Sequence, residues 1–305
     1  MLGSLGAVTD GAPSWRVGDV FVTRIDETSF RLPIAEFIPG ATPAVRAEHA
    51  PKLSADQLDA AGSMCLVIGA FVVESRGRRI LVDTCLGSES QHGVENSPFL
   101  HRLKAAGFPP RSIDAVVCTH MHLDHVGWNT TVIGGERMQT FPRADYLFCA
   151  TEWSAMRDAD PDEVLYSLIA TDVAWLIDAE RATLVEPTYR LTDEVSLLPT
   201  FGHSPGHVAV LIESGGHHAV ITGDSAHHPI QLLEPSLASM ADGDAPLAER
   251  SRLGLIDRAI ETKATLFGTH FAVPSAVILR DRADGLELDA VEPATTSAGS
   301  SAPWA

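Results

Sequence analysis

The sequence predicts a mixed α/β protein, with sheets of mixed direction covered by helices, and three observations predict it. Short apolar runs bounded by turn residues recur along the chain and read as buried strands. Segments with helical spacing lie between many of them. The first three strands come with no helix between them while later elements mix the two types, which argues against a strictly alternating parallel sheet.

The strand-like runs are Val20–Ile25, Cys65–Val73, Arg79–Thr84, Ala115–Thr119, Tyr146–Cys149, Val195–Thr200, Val208–Ile212 and Ala219–Thr222. Helical candidates cover Pro98–Ala106, Thr151–Arg157, Asp162–Ala179 and Pro246–Lys263. In the last of these Leu253, Ile256 and Ile260 recur at helical spacing and predict one buried face. Residues 27–62 contain Pro33, Pro39, Pro43 and Pro51 and show no clear period. An irregular stretch of that length inside a compact domain is usually functional, so it is expected as a lid or substrate loop. Residues 1–14 are rich in Gly, Ser and Ala and are expected to be mobile. Residues 286–305 carry few large apolar side chains and are expected to form a disordered tail. Residues 15–285 then make up a single domain, with no internal repeat and no linker that divides it.

The chain has 305 residues, 45% of them hydrophobic, enough for a sizeable core. Acidic residues outnumber basic ones 40 to 22, giving a formal charge of −18. Such a surface repels phosphate backbones, so no nucleic-acid partner is expected. No run reaches transmembrane length, and the N-terminus lacks a basic region followed by an apolar stretch, so neither a membrane nor a secretory route is expected. The four cysteines, Cys65, Cys85, Cys118 and Cys149, form no CxxC pair. Three lie in apolar strand-like runs, where a reduced thiol packs as a small hydrophobe, so a cytoplasmic protein is expected.

The most informative segment is His120-Met121-His122-Leu123-Asp124-His125. It follows the apolar run that ends at Cys118. His120 and His122 are two apart, so an extended backbone sends both imidazoles to the same side. Asp124 and His125 follow where the chain turns toward a helix. The plainer alternative is a polar strand end whose histidines are satisfied by hydrogen bonds. Three histidines and a carboxylate crowded at one strand end favour a bound cation instead.

Three further candidates each follow an apolar run: His203 in Gly202-His203-Ser204-Pro205-Gly206-His207, Asp224 after Ala219–Gly223, and His270 after Ala264–Thr269. Donors at the ends of strands can converge at one sheet edge. Alone, His203 would read as a turn histidine and Asp224 as a helix cap. His207 lies past its turn and is expected in a supporting role. His227 and His228 could line a pocket or face solvent.

Together these residues resemble the metallo-β-lactamase superfamily in its dinuclear-hydrolase form. The family motif HxHxDH matches His120, His122, Asp124 and His125, and its later ligands match His203, Asp224 and His270. The resemblance implies an αβ/βα sandwich, two mixed sheets packed face to face with helices outside. It implies that His120, His122 and His203 hold one ion, that Asp124, His125 and His270 hold the other, and that Asp224 bridges them. It also implies that Asp83 orients a ligand imidazole, although a turn residue ending a strand reads the same way. Zinc is the default for this donor set, and manganese, cobalt or iron also suit it. Two such ions make hydroxide available from water at neutral pH. Asp124 and Asp224 are the expected catalytic carboxylates.

The stretches around His120–Thr130, Gly223–Gln231 and Gly268–Pro274 are similar to the branch that contains acyl-homoserine lactonases and methyl parathion hydrolase. A lactonase or carboxylic esterase acting on a small molecule is therefore expected. An organophosphate triesterase, or an iron-containing redox member of the same fold, stays open. Phe37, Trp128, His227 and Phe271 are candidate pocket residues, with core packing the alternative for Trp128 and Phe271. The proline-rich N-terminal arm is a candidate homodimer contact.

Overall fold

The structure is a computed structural model that describes residues 12–87, 96–158, 172–283 and 285–294. Most of the expected mobile N-terminal segment, residues 162–171 of one expected helix and residues 295–305 of the expected tail lie outside the described residues.

In chain order the first strands are β1 (Ser14–Val17), β2 (Val20–Pro33), β3 (Ser63–Ser75), β4 (Arg78–Val82) and β5 (Ala115–Val117). A small hairpin of β6 (Thr130–Ile133) and β7 (Glu136–Gln139) precedes β8 (Asp145–Cys149) and β9 (Ala182–Val185). The second half contributes β10 (Val195–Pro199), β11 (Val208–Ser214), β12 (His217–Ile221), β13 (Thr265–Phe267), β14 (Ala276–Arg282) and β15 (Gly285–Ala290). One sheet has the order β1-β2-β3-β4-β5-β8-β9 and the other β10-β11-β12-β13-β14-β15. Both mix parallel and antiparallel pairs, as expected.

The two sheets face each other. Val22, Val73, Ile80 and Val117 of the first pack with Val210, Ile212, Ile221 and Phe267 of the second in one apolar cluster. Each fully buried side chain of this kind contributes about 1.5–3 kcal/mol. Helices cover the outer faces. The first sheet carries α3 (Phe99–Ala105), following two short helices α1 (Ile34–Phe37) and α2 (Pro43–His49), with Phe99 and Leu103 in its outer cluster. The four-residue α4 (Leu123–Val126), α5 (Ala150–Arg157), α6 (172–178) and α7 (Ile230–Leu233) come next. The long α8 (Ala245–Thr262) covers the second sheet through Leu255, Ile256 and Ala259. Asp244 caps it, accepting from the Leu247 amide at 2.9 Å. This is the αβ/βα sandwich that the resemblance implied.

Three expectations change. The buried face of α8 is Ala248, Arg252, Leu255, Ile256 and Ala259, whereas Leu253 is 42% exposed. Arg252 is buried because its guanidinium donates to the carbonyls of Ser225, Pro235 and Leu237, which satisfies a charge that spacing alone would put outside. Residues 27–33 continue β2, and Ile34, Ile38 and Ala41 of the remaining stretch pack with Met64, Ile230 and Leu237 in one apolar cluster. Ser54 and Gln57 tie it to the carbonyls of Val273 and Pro274. Finally, residues 286–290 of the expected tail belong to the edge strand β15, where Leu286 and Leu288 pack against the outer cluster of the second sheet.

Candidate metal centre

All seven candidate ligands lie just beyond strand ends at one edge of the sandwich. β5 leads through Cys118 and Thr119 to His120. His122 stays extended (φ −68°, ψ 155°) and starts α4, whose first turn carries Asp124 and His125. β10, β12 and β13 all run in one direction, since β11 is antiparallel to both β10 and β12 and β13 is parallel to β12. His203, Asp224 and His270 follow those three strands and so meet at the same end.

Donor atoms of His120, His122, His203 and Asp224 lie within 4.8 Å of one another, and those of Asp124, His125 and His270 form a second such group. In the first, His203 Nε2 is 3.2 Å from His120 Nε2 and 2.9 Å from His122 Nδ1. In the second, His270 Nε2 is 3.3 Å from His125 Nε2, and Asp124 Oδ2 is 3.7 and 3.6 Å from those two nitrogens. Asp224 stands between the groups. Its Oδ2 faces His203 and His120 at 3.2 and 3.7 Å, while its Oδ1 faces His270 and His125 at 2.9 and 3.2 Å.

This donor set fits two divalent ions. Asp224 Oδ1 is buried without a hydrogen-bond partner, and imidazole nitrogens face one another at contact distance. Lone pairs turned toward one another in a buried space are what a cation resolves. Burial and the neighbouring His125 hold His120 well below the usual imidazole range. Burial and His203 push His122 down to about 3. Both rings are therefore neutral and offer lone pairs. Burial acts to raise the Asp224 carboxyl, but the imidazoles of His270 and His125 outweigh it and hold it well below the usual carboxylate range. At His125 burial is outweighed by Asp224, Asp83 and Asp124, which lift the imidazole. A divalent ion competes with protons for those same nitrogens.

A surrounding layer fixes the rings. Asp83 Oδ2 accepts from His125 Nδ1 at 2.9 Å, and its Oδ1 accepts the Thr119 amide at 2.7 Å. Asp242 Oδ1 plays the same part for His203 Nδ1 at 3.2 Å, and Arg252 lies 3.5 Å from its other oxygen. The Val67 carbonyl accepts from His270 Nδ1 at 2.7 Å. His207 Nε2 accepts the Asp224 amide at 2.8 Å, so it supports the backbone of the centre from outside the donor groups. Gly127, at the end of α4, lies so close to the Leu86 backbone that a Cβ there would sit 2.0 Å from the Leu86 carbonyl atoms.

The candidate pocket residues separate. His227 Nε2 is 3.1 Å from Asp224 Oδ2, and Phe37 meets the His227 ring edge-on at 5.0 Å. Trp128 and Phe271 are placed in the packed interior instead. Trp128 donates to Glu27 and lies over Phe99, and Phe271 belongs to the cluster under α8. His228 turns away from the centre and donates to the Gln57 carbonyl at 2.9 Å. Asp242 left no mark in the sequence beyond standing in Ala241-Asp242-Gly243, where nothing local distinguishes it from a turn aspartate.

Comparison with known proteins agrees with this architecture. The N-acyl homoserine lactonase of Bacillus cereus is 25% identical over 166 residues, covering 49% of this chain and 59% of that protein. The chain thus spans less than two thirds of the curated relatives it matches. Among solved structures, AidC, described as a dizinc quorum-quenching lactonase in complex with a product, superposes with a TM-score of 0.77 at 19% identity, covering 92% of this chain and 98% of AidC. AbOPH, described as a hydrolase in the beta lactamase superfamily, gives 0.76 at 21% identity, covering 94% and 99%. The family model for the metallo-beta-lactamase superfamily matches residues 66–270, a span that holds all seven converging side chains, and the chain belongs to that superfamily.

Proposed function

We propose that this chain is a dinuclear metal-dependent hydrolase that opens lactones or cleaves carboxylic esters. The observation that carries the reading is Asp224, whose two oxygens each face a different group of imidazoles. His120, His122 and His203 would hold one ion, Asp124, His125 and His270 the other, and Asp224 both. Zinc suits this set of imidazoles and carboxylates. When bound, two such ions lower the pKa of a shared water from about 15.7 toward 7 and polarise the ester carbonyl.

The chain's own groups do the rest. Asp83 and Asp242 fix the tautomers of His125 and His203, so that each ring presents Nε2 to the centre. Burial of His120, His125, His203, Asp224 and His270 keeps bulk water from most of the centre and strengthens the charge interactions there. The Asp124 side chain is 22% exposed against 4% for Asp224. It is thus the carboxylate able to pass a proton from the attacking water to the departing alkoxide. Hydrolysis then yields a carboxylate and an alcohol, which for a lactone remain in one molecule. His227, whose Nδ1 has no hydrogen-bond partner, and Phe37 beside it offer one polar and one apolar contact to a substrate.

Residues 15–285 with the added strand β15 form the catalytic domain in this reading. The four free cysteines, three of them buried, support work in a reducing compartment such as the cytoplasm. Among the described residues no helix is long and apolar enough to cross a membrane. The test is Asp224→Ala, assayed for metal content and for turnover of an acyl-lactone, an aryl ester and an aryl phosphotriester. Loss of metal and of lactone or ester turnover together supports the reading. Turnover confined to the phosphotriester in the wild type moves the substrate class, and full activity in thoroughly demetallated protein refutes the mechanism.

A further inference from the structure

Among the described residues, one carboxylate outside the first donor group joins the two loops that supply its imidazoles. Glu152, in the first turn of α5, is 3% exposed. Its Oε1 accepts the Met121 amide at 3.3 Å, and its Oε2 accepts from Ser204 Oγ at 2.8 Å and from the Gly206 amide at 2.7 Å. Met121 separates His120 from His122, and Ser204 follows His203. Rotation of either segment's peptides would swing the rings. Gly206 permits the approach, because a Cβ there would lie 2.2 Å from the Glu152 nitrogen.

We propose that Glu152 is a positioning residue that clamps the His120–His122 segment to the His203–Gly206 loop and so sets the affinity of the first donor group for its ion. The inference rests on the two-ion reading above. The chemistry of the clamp requires a carboxylate. All three groups that point at Glu152 are donors, and a carboxylate only accepts. Glutamine is nearly the same size, but its NH₂ would meet one of those donors head on. The placement of α5 also makes sense of the clamp. β8, which leads into α5, is paired with β5, which leads into His120. One side of the motif is therefore held by Asp83 through the Thr119 amide and the other by Glu152 through the Met121 amide. Among the described residues, the hydrogen bonds of Glu152 go to Met121, Ser204 and Gly206 and to none of Asp124, His125 or His270. Donor atoms at a metal centre need to be held to within about 0.5 Å, so a loosened clamp affects the first group more than the second, which shares Asp224 with it.

The test is a Zn²⁺ titration of the metal-free full chain against a chromophoric chelator, for wild type, Glu152→Gln, Ser204→Ala and His203→Ala. Wild type shows two binding constants, and His203→Ala identifies the one that belongs to the first group. In Glu152→Gln that constant weakens by about 10-fold, the lower end of the effect of losing a ligand's own hydrogen-bond partner, because Glu152 acts through the backbone beside the ligands. The other constant, whose donor group shares Asp224, weakens by clearly less. Ser204→Ala weakens the same constant by less. Unchanged constants, or equal weakening of both, overturn the clamp, even if the metal-free protein melts lower. If Glu152→Gln does not fold, Ser204→Ala decides by the same criterion. A wild type that binds fewer than two ions contradicts the two-ion reading itself, a separate failure.

Discussion

Asp83→Asn isolates one hydrogen bond at the second donor group. Asp83 sits in the left-handed region at φ 63°, which asparagine tolerates well, so the backbone carries no new strain. The residue is 1% exposed and its carboxylate accepts from the Thr119 amide, the Thr119 hydroxyl and His125 Nδ1. In the variant the remaining amide oxygen can keep the Thr119 amide. The NH₂ then replaces the oxygen 2.9 Å from His125 Nδ1, and two donors face each other. A hydrogen bond to a charged acceptor is worth about 1.5–3 kcal/mol, or about 10–150-fold in a binding constant. Zn²⁺ binding at the Asp124–His125–His270 group is then expected to weaken by about 10–100-fold, and that at the other group, which shares Asp224, by less. Competition with a chelating dye at fixed pH reads both constants, and circular dichroism checks the fold. Two unchanged constants would refute the reasoning that Asp83 acts through His125.

Glu27 is 1% exposed and accepts from the Leu86 amide, Ser97 Oγ and Trp128 Nε1. Burial lifts its carboxyl pKa, outweighing the hydrogen bonds from Ser97 and Trp128. The folded state therefore holds the proton longer than the unfolded one, so its stability contribution is full below the unfolded-state pKa and is lost as pH rises through the raised folded value. Glu27→Gln removes that slope in urea unfolding across pH and costs about 1–3 kcal/mol for a donor left facing NH₂; an unchanged slope speaks against the assignment. Gly127→Ala drives a methyl into the Leu86 backbone and should cost about 3 kcal/mol, at the upper end for overpacking, while wild-type stability would show that the loop yields freely. Phe37→Ala should raise KM for acyl-lactones about tenfold with kcat nearly unchanged, reflecting about 1.5 kcal/mol of lost apolar contact. A fall in kcat at constant KM would place Phe37 in the chemistry rather than in binding.

The centre was legible to the extent that its residues announce themselves locally. His120 to His125 form a dense pattern after an apolar run, and His203, Asp224 and His270 each follow a strand-like run that the fold brings to the same edge. Asp242 and Glu152 are single carboxylates whose role comes only from tertiary contact, with His203 and with Met121, Ser204 and Gly206. Trp128 and Phe271 are large aromatic residues next to motif residues, and composition cannot tell a pocket wall from core. The face of α8 was displaced because Arg252, polar in sequence, finds three carbonyls inside. At β15 the alternation of Leu286 and Leu288 with Glu287 and Asp289 was a strand signal, overshadowed by the low-complexity residues that follow.

The most direct test of the account is elemental analysis of the purified chain, paired with acyl-lactone hydrolysis before and after chelation. The account predicts two equivalents of zinc or a similar divalent ion, turnover that disappears on chelation, and its return on adding the ion. One equivalent of iron, oxygen consumption and no hydrolysis would contradict it: the side chains would converge as described, and the chemistry would be redox.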